Sequence, residues 1–321
     1  MNKAIAKQAK EFAGVWGGFR AARVVLTANN YNIFEHLKTA RTAGQVADIL
    51  ETNFRATEIL LDAVVSLGLL AKQGKRYRIT APARQFLLKE SPTYQGDMLR
   101  HADTLWKAWS NLDAIVKTGV SSRSESRDHE VFIRAMHDNA IFRAPSVVKA
   151  LDLRGVKTVL DLGGGPGTYS IELAKKGIAV TLFDVPSTLE VARSFIRTSK
   201  VKTIELRAGD FHTDPIGKDY DLVLISQVFH SYSEEKNCAL LEKAHTALNA
   251  RGRVVIHEFF IDQNRAYPSV GALFSVNMLV NTSTGRCYTP QEMKKWLVKT
   301  GFRNIREKLI NDTVLVMGTK R

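Results

Sequence analysis

A chain of 321 residues has room for two domains, or for one large domain with an accessory piece. Its hydrophobic residues, 45% of the total against 24% charged, supply a buried core and exclude wholesale disorder. The 46 Lys and Arg outnumber the 32 Asp and Glu by 14, which raises a nucleic-acid or anionic-surface reading, yet the excess is spread along the chain and no segment forms a dense basic block.

The only cysteines are Cys238 and Cys287, with no CxxC pair and no regular framework. A reducing, cytoplasmic setting is therefore expected, and a disulfide-stapled secreted domain is not. The opening MNKAIAKQAKEFAGVWGG is broken by Lys, Glu and Gly before any apolar run develops, so it does not read as a signal peptide. Apolar runs elsewhere reach about 8 residues, short of the roughly 20 that a spanning helix needs, and no membrane partner is expected.

In chain order, residues 19–37 bring Val24, Val25, Ala28, Ile33 and Leu37 near one helical face, and Thr42 is placed to cap a second helix. A third helix in NFRATEILLDAVVSLGLL stacks Ile59, Leu60, Ala63, Val64 and Leu67. Residues 69–72 and 77–80 then alternate around Gln73-Gly74-Lys75 like a short hairpin. Three helices and a hairpin make a winged-helix order. Residues 97–118 and 128–151 read as two long helices, joined by a Ser/Arg/Glu-rich segment at 121–128 that is expected to be a linker or mobile loop.

From residue 157 the rhythm changes to strands at 158–162, 179–184, 203–208, 221–226 and 252–259, separated by helices at 167–176, 187–199 and 233–248. Apolar strands alternating with amphipathic helices predict a parallel sheet covered on both faces. The end differs: after a helix at 290–300, strands at 304–310 and 313–319 are joined only by Asn311-Asp312, and so short a connection is antiparallel.

The most informative motif is VLDLGGGPGTYSIELAKKG at 159–177. A buried strand runs into Gly163, Gly164, Gly165 and Gly167, which permit a tight turn and close approach of a ligand, and a helix follows at once. The spacing is G-x-G-x-G rather than the dinucleotide G-x-G-x-x-G, and Asp161 precedes the turn; a carboxylate there suits a cationic amino-acid ligand better than a pyrophosphate. The second strand ends in Asp184, where an acid can accept two ribose hydroxyls. The third leads to Asp210 and Phe211, an acid and an aromatic suited to an exocyclic amine and a purine face.

With these ordered motifs the chain resembles a class I S-adenosylmethionine-dependent methyltransferase. More closely, it resembles the O-methyltransferase family that includes plant caffeate and animal hydroxyindole O-methyltransferases. The resemblance covers nearly the whole chain. It implies an α/β fold in which a Rossmann-like methyltransferase sheet, mostly parallel with an antiparallel C-terminal strand, follows an all-helical winged-helix dimerisation domain. The implied divisions are 1–95 for dimerisation, 96–152 for a helical bridge to the substrate pocket, and 153–321 for the S-adenosylmethionine-binding domain. Carried over by position, Gly163 and Gly165 line the methionine moiety, Asp184 binds the ribose, Asp210 and Phe211 take the adenine, and Asp161 and Ser226 complete the cofactor group. The implied partners are a homodimer mate and a small acceptor bearing a hydroxyl, aromatic in the family pattern.

The fourth strand ends in Gln227-Val228-Phe229-His230-Ser231, which looks like the family segment holding the catalytic histidine. A neutral hydroxyl is a poor nucleophile, and a histidine titrating near neutrality can take its proton as the bond to carbon forms. Glu258, in VVIHEFF on the next strand, emerges at the same sheet edge, and in the family the corresponding glutamate orients the histidine. His257 points the other way by alternation. Two positions depart from the plant pattern: Ser231 replaces an aspartate after the histidine, and Cys287 stands where a second glutamate flanks the base. Those departures keep open a different reaction on the same cofactor, such as N- or S-methylation, decarboxylation or hydroxylation.

Phe132, Met136 and Met278 resemble family positions lining the acceptor pocket, and Trp106 and Trp109 are placed to cap it; helical spacing explains each as ordinary core equally well. Asp210, His212 and Asp214 align on an extended segment, but no further ligand cluster follows, and no metal is expected. A DNA-binding regulator is the competing reading of the winged helix. Its recognition helix at 54–67 has Arg55 as its only base beside Glu58 and Asp62, so nucleic acid is not an expected partner.

Overall fold

The computed structural model describes residues 2–122 and 128–321, so five residues of the expected 121–128 linker lie outside the described ones. The chain divides into two compact units, Met1–Asp103 and Thr104–Arg321.

The first unit opens with helix Lys3–Gly17, which buries none of its residues. Helices Phe19–Asn30 and Ile33–His36 follow, separated at Asn32, whose left-handed φ of 51° ends the first and admits the second. Helix Ala43–Leu50 starts on a full capping box: the Thr42 hydroxyl accepts the Gln45 N–H while the Gln45 side chain accepts that of Thr42. Helix Phe54–Ser66 is capped by Asn53. The unit is not all-helical: β1 (Arg41–Thr42), β2 (Leu70–Gln73) and β3 (Arg76–Ile79) form an antiparallel sheet in the order β1-β3-β2. The expected hairpin is β2–β3, and the residues before the capping box add a third strand because they are extended there anyway. The core gathers Phe34, Leu37, Val46, Leu61, Val64, Leu70 and Tyr77. On helix Phe54–Ser66 the inward face is thus Thr57, Leu61 and Val64, while Ile59 and Leu67, expected to stack inside, are 55% and 39% exposed.

In the second unit, β4 (Thr158–Leu162), β5 (Ala179–Asp184), β6 (Ile204–Ala208), β7 (Tyr220–Ser226), β8 (Leu248–Phe259), β9 (Arg303–Ile310) and β10 (Thr313–Thr319) form one sheet in the order β6-β5-β4-β7-β8-β10-β9. Strands β6 to β8 in that order are parallel, and β10 runs antiparallel to both β8 and β9. The order reverses between β4 and β7, the switch point at which open α/β sheets present a crevice at their carboxyl ends. One face carries Val159, Leu222, Leu224 and Val255 under Tyr169 and Leu173; the other carries Leu160, Val223, Ile225, Val254 and Ile256 against Leu241 and Trp296. Alternation therefore puts Asp161, Ser226 and His257 on the first face and Glu258 on the second.

The long helices expected at 97–118 and 128–151 are each broken in two. Gly96–Trp109 is followed by Leu112–Thr118, and His129–Ala140 by Ala144–Ala150. The second break has a visible cause, because Pro145 in the first turn of Ala144–Ala150 has no N–H to continue the preceding helix. A further helix, Ser269–Asn281, lies between β8 and β9 and carries Met278.

Candidate active site

The glycine-rich turn joins β4 to helix Thr168–Ala174, with Gly163, Gly165 and Gly167 at φ of 69°, 56° and 76°. A side chain at Gly163 would run into Val228 and the Phe211 ring, and one at Gly164 into Leu182 and the Asp161 carboxylate, whereas Gly165 faces open space. The Asp184 carboxylate at the end of β5 accepts the Gly165 N–H at 2.9 Å and the Val185 N–H at 2.8 Å, pinning the two strand-end turns together.

Asp161 is fully enclosed. Its Oδ2 accepts the Ser170 hydroxyl at 2.6 Å, while its Oδ1 has no hydrogen-bond partner. Burial, helped by the nearby Asp184 charge, pushes its pKa up to about 6. Ser226 shares this face but its hydroxyl is engaged with His257 Nδ1 at 2.8 Å, because the parallel register sets the two residues side by side. His257 is fully buried, and burial pushes its pKa down to about 4. Beyond β6, Asp210 is exposed and its Oδ1 accepts the His212 N–H at 2.8 Å, so its side chain shapes its own turn. The Phe211 ring packs edge-on to Tyr232, and Lys243 donates to the carbonyls of Phe211 and His212, each at 2.8 Å, to hold that loop.

On the other face the turn Phe229–Ser231 is built around Glu258. Its Oε1 accepts the Phe229 N–H at 2.8 Å and its Oε2 lies 2.7 Å from His230 Nδ1. Asn237 donates to the Phe229 carbonyl at 3.0 Å, and Tyr288 donates to the Tyr232 carbonyl at 2.6 Å, so the turn is fixed from two further elements. His230 and Glu258 are 8% and 2% exposed. A carboxylate only accepts, so Nδ1 carries the proton and Nε2 is left as the basic nitrogen. Phe274 on helix Ser269–Asn281 meets the His230 ring edge-on, with centroids 4.8 Å apart; the sequence offered no periodic signal that singled it out.

Cys287 is buried among Phe259, Ile261 and Phe274, and burial pushes its thiol up to about 12, so it is held as a neutral thiol. Met278 is buried, and Phe132 and Met136 are half-buried one helical turn apart on His129–Ala140. The Trp109 indole donates to Asn277 Oδ1 at 3.1 Å, next to Met278. Among the described residues no group of three His, Cys, Asp or Glu side chains is arranged to hold a metal ion.

The O-methyltransferase domain model matches residues 109–303, and the O-methyltransferase dimerisation domain model matches residues 14–89. The chain belongs to the O-methyltransferase family. Acetylserotonin O-methyltransferase from Macaca mulatta is 30% identical to this chain, with 93% of this chain and 94% of the relative covered. The 3-hydroxy-5-methyl-1-naphthoate 3-O-methyltransferase of Streptomyces sahachiroi is also 30% identical, over 91% of this chain and 88% of its own. Human N-acetylserotonin methyltransferase, solved in complex with S-adenosylmethionine, superposes with a TM-score of 0.88 at 27% identity, over 100% of this chain and 98% of that one. The protein is thus an S-adenosylmethionine-dependent O-methyltransferase. The residues of this O-methyltransferase fit that cofactor: the open space beside Gly165 admits it, and the unpartnered Asp161 Oδ1 supplies negative charge beneath a cationic ligand.

Proposed function

We propose that this O-methyltransferase methylates a hydroxyl of a small aromatic acceptor, with His230 as the general base and Glu258 as the group that orients it. The observation carrying the reading is the 2.7 Å contact between His230 Nδ1 and Glu258 Oε2 at the strand-end turn. The cofactor supplies an electrophilic methyl group on a sulfonium. Gly163, Gly165 and Asp161 hold its amino-acid part, Asp184 its ribose, and Phe211 with Asp210 its adenine. Of these, Asp161 acts through its buried charge, and Ser226 has a supporting place through His257 rather than an open hydroxyl.

His230 Nε2 takes the acceptor proton, and the imidazolium that forms is stabilised by Glu258, whose Oε1 accepts the Phe229 N–H. Phe274, Met278, Phe132 and Met136 supply apolar walls suited to a flat acceptor. With a neutral thiol at Cys287, the base is supported by one carboxylate.

We assign residues 1–95 to dimerisation, 96–152 to the bridge and 153–321 to cofactor binding and chemistry. A second copy of the chain is the partner that the first unit suits: Phe12, Val15, Trp16 and Phe19 are 70%, 82%, 53% and 52% exposed, and Ile59 and Leu67 add to the uncovered apolar area. DNA binding is disfavoured because the wing residue Lys72 is paired with Asp62 of the would-be reading helix at 2.6 Å.

The deciding experiment is a screen of hydroxylated aromatic compounds with methyl-labelled S-adenosylmethionine. Label on a hydroxyl oxygen that disappears in His230→Ala supports the reading; transfer at the wild-type rate in that variant would remove His230 as the base.

A further inference from the structure

Two histidines outside the proposed catalytic pair face the cofactor turns from helix His129–Ala140. His137 Nδ1 lies 2.8 Å from the Thr168 hydroxyl, and Thr168 directly follows Gly167 in the glycine-rich turn. His129 Nε2 lies 3.0 Å from the Thr188 hydroxyl, and Thr188 stands in the first turn of helix Pro186–Ser199, just after the Asp184 carboxylate that accepts the Gly165 N–H. The helix therefore touches both strand-end turns, at Thr168 after the glycine-rich turn and at Thr188 after Asp184. His137 also stacks on Phe195 of helix Pro186–Ser199, with ring centroids 3.8 Å apart and planes at 20°.

The histidines stand at positions 129 and 137, with the buried Ile133 between them at spacings of four, so the three form one face. Phe132 and Met136, one position earlier in each turn, form the adjacent face. Ile133 and Ala135 already give this helix its apolar anchorage. The imidazoles add something that packing does not, a polar link that depends on where the two threonine hydroxyls sit. Both hydroxyls belong to buried residues, so losing the partner leaves a polar atom without water.

We propose that His129 and His137 are positioning residues that tie the helix carrying Phe132 and Met136 to the two cofactor-holding turns, so that filling the cofactor site sets the acceptor side of the pocket. The inference rests on the cofactor placement proposed above. Its consequence is an ordered site: the cofactor stiffens the turns, the turns hold Thr168 and Thr188, and these fix the helix against which the acceptor packs.

Hydrogen–deuterium exchange with S-adenosylhomocysteine as the probe tests this without knowledge of the acceptor. In the wild-type protein the probe slows exchange in residues 163–168 and also in residues 129–140. In His129→Ala/His137→Ala, protection at 163–168 persists while the response of 129–140 falls by roughly tenfold, the scale of a lost buried hydrogen bond. Thr168→Ser retains the response and Thr168→Val loses it, a difference that a general loss of packing would not produce. Protection at 163–168 without any response at 129–140, or a full response in the double variant, overturns the inference alone. No protection at 163–168 in the wild type overturns the cofactor placement and the inference together.

Discussion

Two carboxylates are buried at the carboxyl edge of one sheet, on opposite faces, and they are treated in opposite ways. Glu258 spends both oxygens within the chain, one on the Phe229 N–H and one on His230 Nδ1. Asp161 spends one oxygen on Ser170 and leaves the other without a partner. A buried charge is tolerated when it is bonded and costly when it is not. Glu258 is therefore finished before any ligand arrives and can hold a base in one orientation. Asp161 keeps one oxygen unpartnered, its pKa pushed up to about 6 by burial, and on the proposed cofactor placement its buried charge acts on the cationic ligand without touching it. On the proposed reading Glu258 serves proton transfer and Asp161 serves binding.

The sharpest test removes the group that the finished carboxylate serves. His230→Ala is expected to lower kcat by about 10²- to 10⁴-fold, the usual worth of a positioned base, with S-adenosylhomocysteine affinity unchanged in calorimetry. Glu258→Gln, which keeps an acceptor for the Phe229 N–H but removes the charge, is expected to lower kcat by less than that. An unchanged kcat would show that Glu258 is packing alone.

Asp161→Asn probes the other side of the comparison. S-adenosylhomocysteine binding is expected to weaken by roughly 10- to 100-fold, the scale of one charge-assisted bond. Wild-type affinity should likewise decline as pH falls below about 6, where Asp161 takes up a proton, and the variant should show no such decline. Stability runs the opposite way. A carboxyl whose folded pKa is raised binds its proton more readily in the native state, so its contribution to stability falls as pH rises from about 3.9 towards 6. The ligand-free variant should accordingly melt higher than wild type at pH 7.5, by an amount no larger than about 3 kcal/mol. A lower melting temperature would mean that Asp161 is stabilising without its ligand.

His257 and His137 titrate in the other direction. Burial pushes both down to about 4, so the unfolded chain binds the extra protons and stability is lost as pH falls from about 6.5 to 4. Replacing His257 by Asn should flatten that loss in thermal melts, with little effect on kcat. The smallest effect is expected at Cys287: with its thiol held neutral, Cys287→Ala should leave kcat within about twofold and cost on the order of 1 kcal/mol of stability.

Much of this comparison can be read in the sequence, because each acid lies at or beside the end of a strand and strand ends on a parallel sheet share one edge. The glycine turn and the acids at 161, 184 and 210 are legible for that reason, as is the division between His257 and Glu258, which follows from alternation alone. The exposed face of helix Phe54–Ser66 was less so, because Ile59 and Leu67 satisfy the same periodicity as the buried Leu61 and Val64. Periodicity reports that a face is apolar, not which apolar residues this fold covers. Asp210 illustrates a different gap, since the same carboxylate can serve a ligand or its own turn, and here it bonds the His212 N–H.

By itself the sequence determined the alternation of strands and helices after residue 157, the family, the cofactor and the residues gathered along the sheet edge, since these depend on local pattern and on motifs contiguous in the chain. Tertiary structure decided how those residues are used. That His230 meets Glu258, that Ser226 is taken by His257, that Phe274 meets the His230 ring, and that His129 and His137 reach Thr188 and Thr168 all depend on register and on helices docking across the sheet. Hydrogen bonds form between atoms a few ångströms apart, and residues separated by tens of positions acquire that proximity only when the chain is folded.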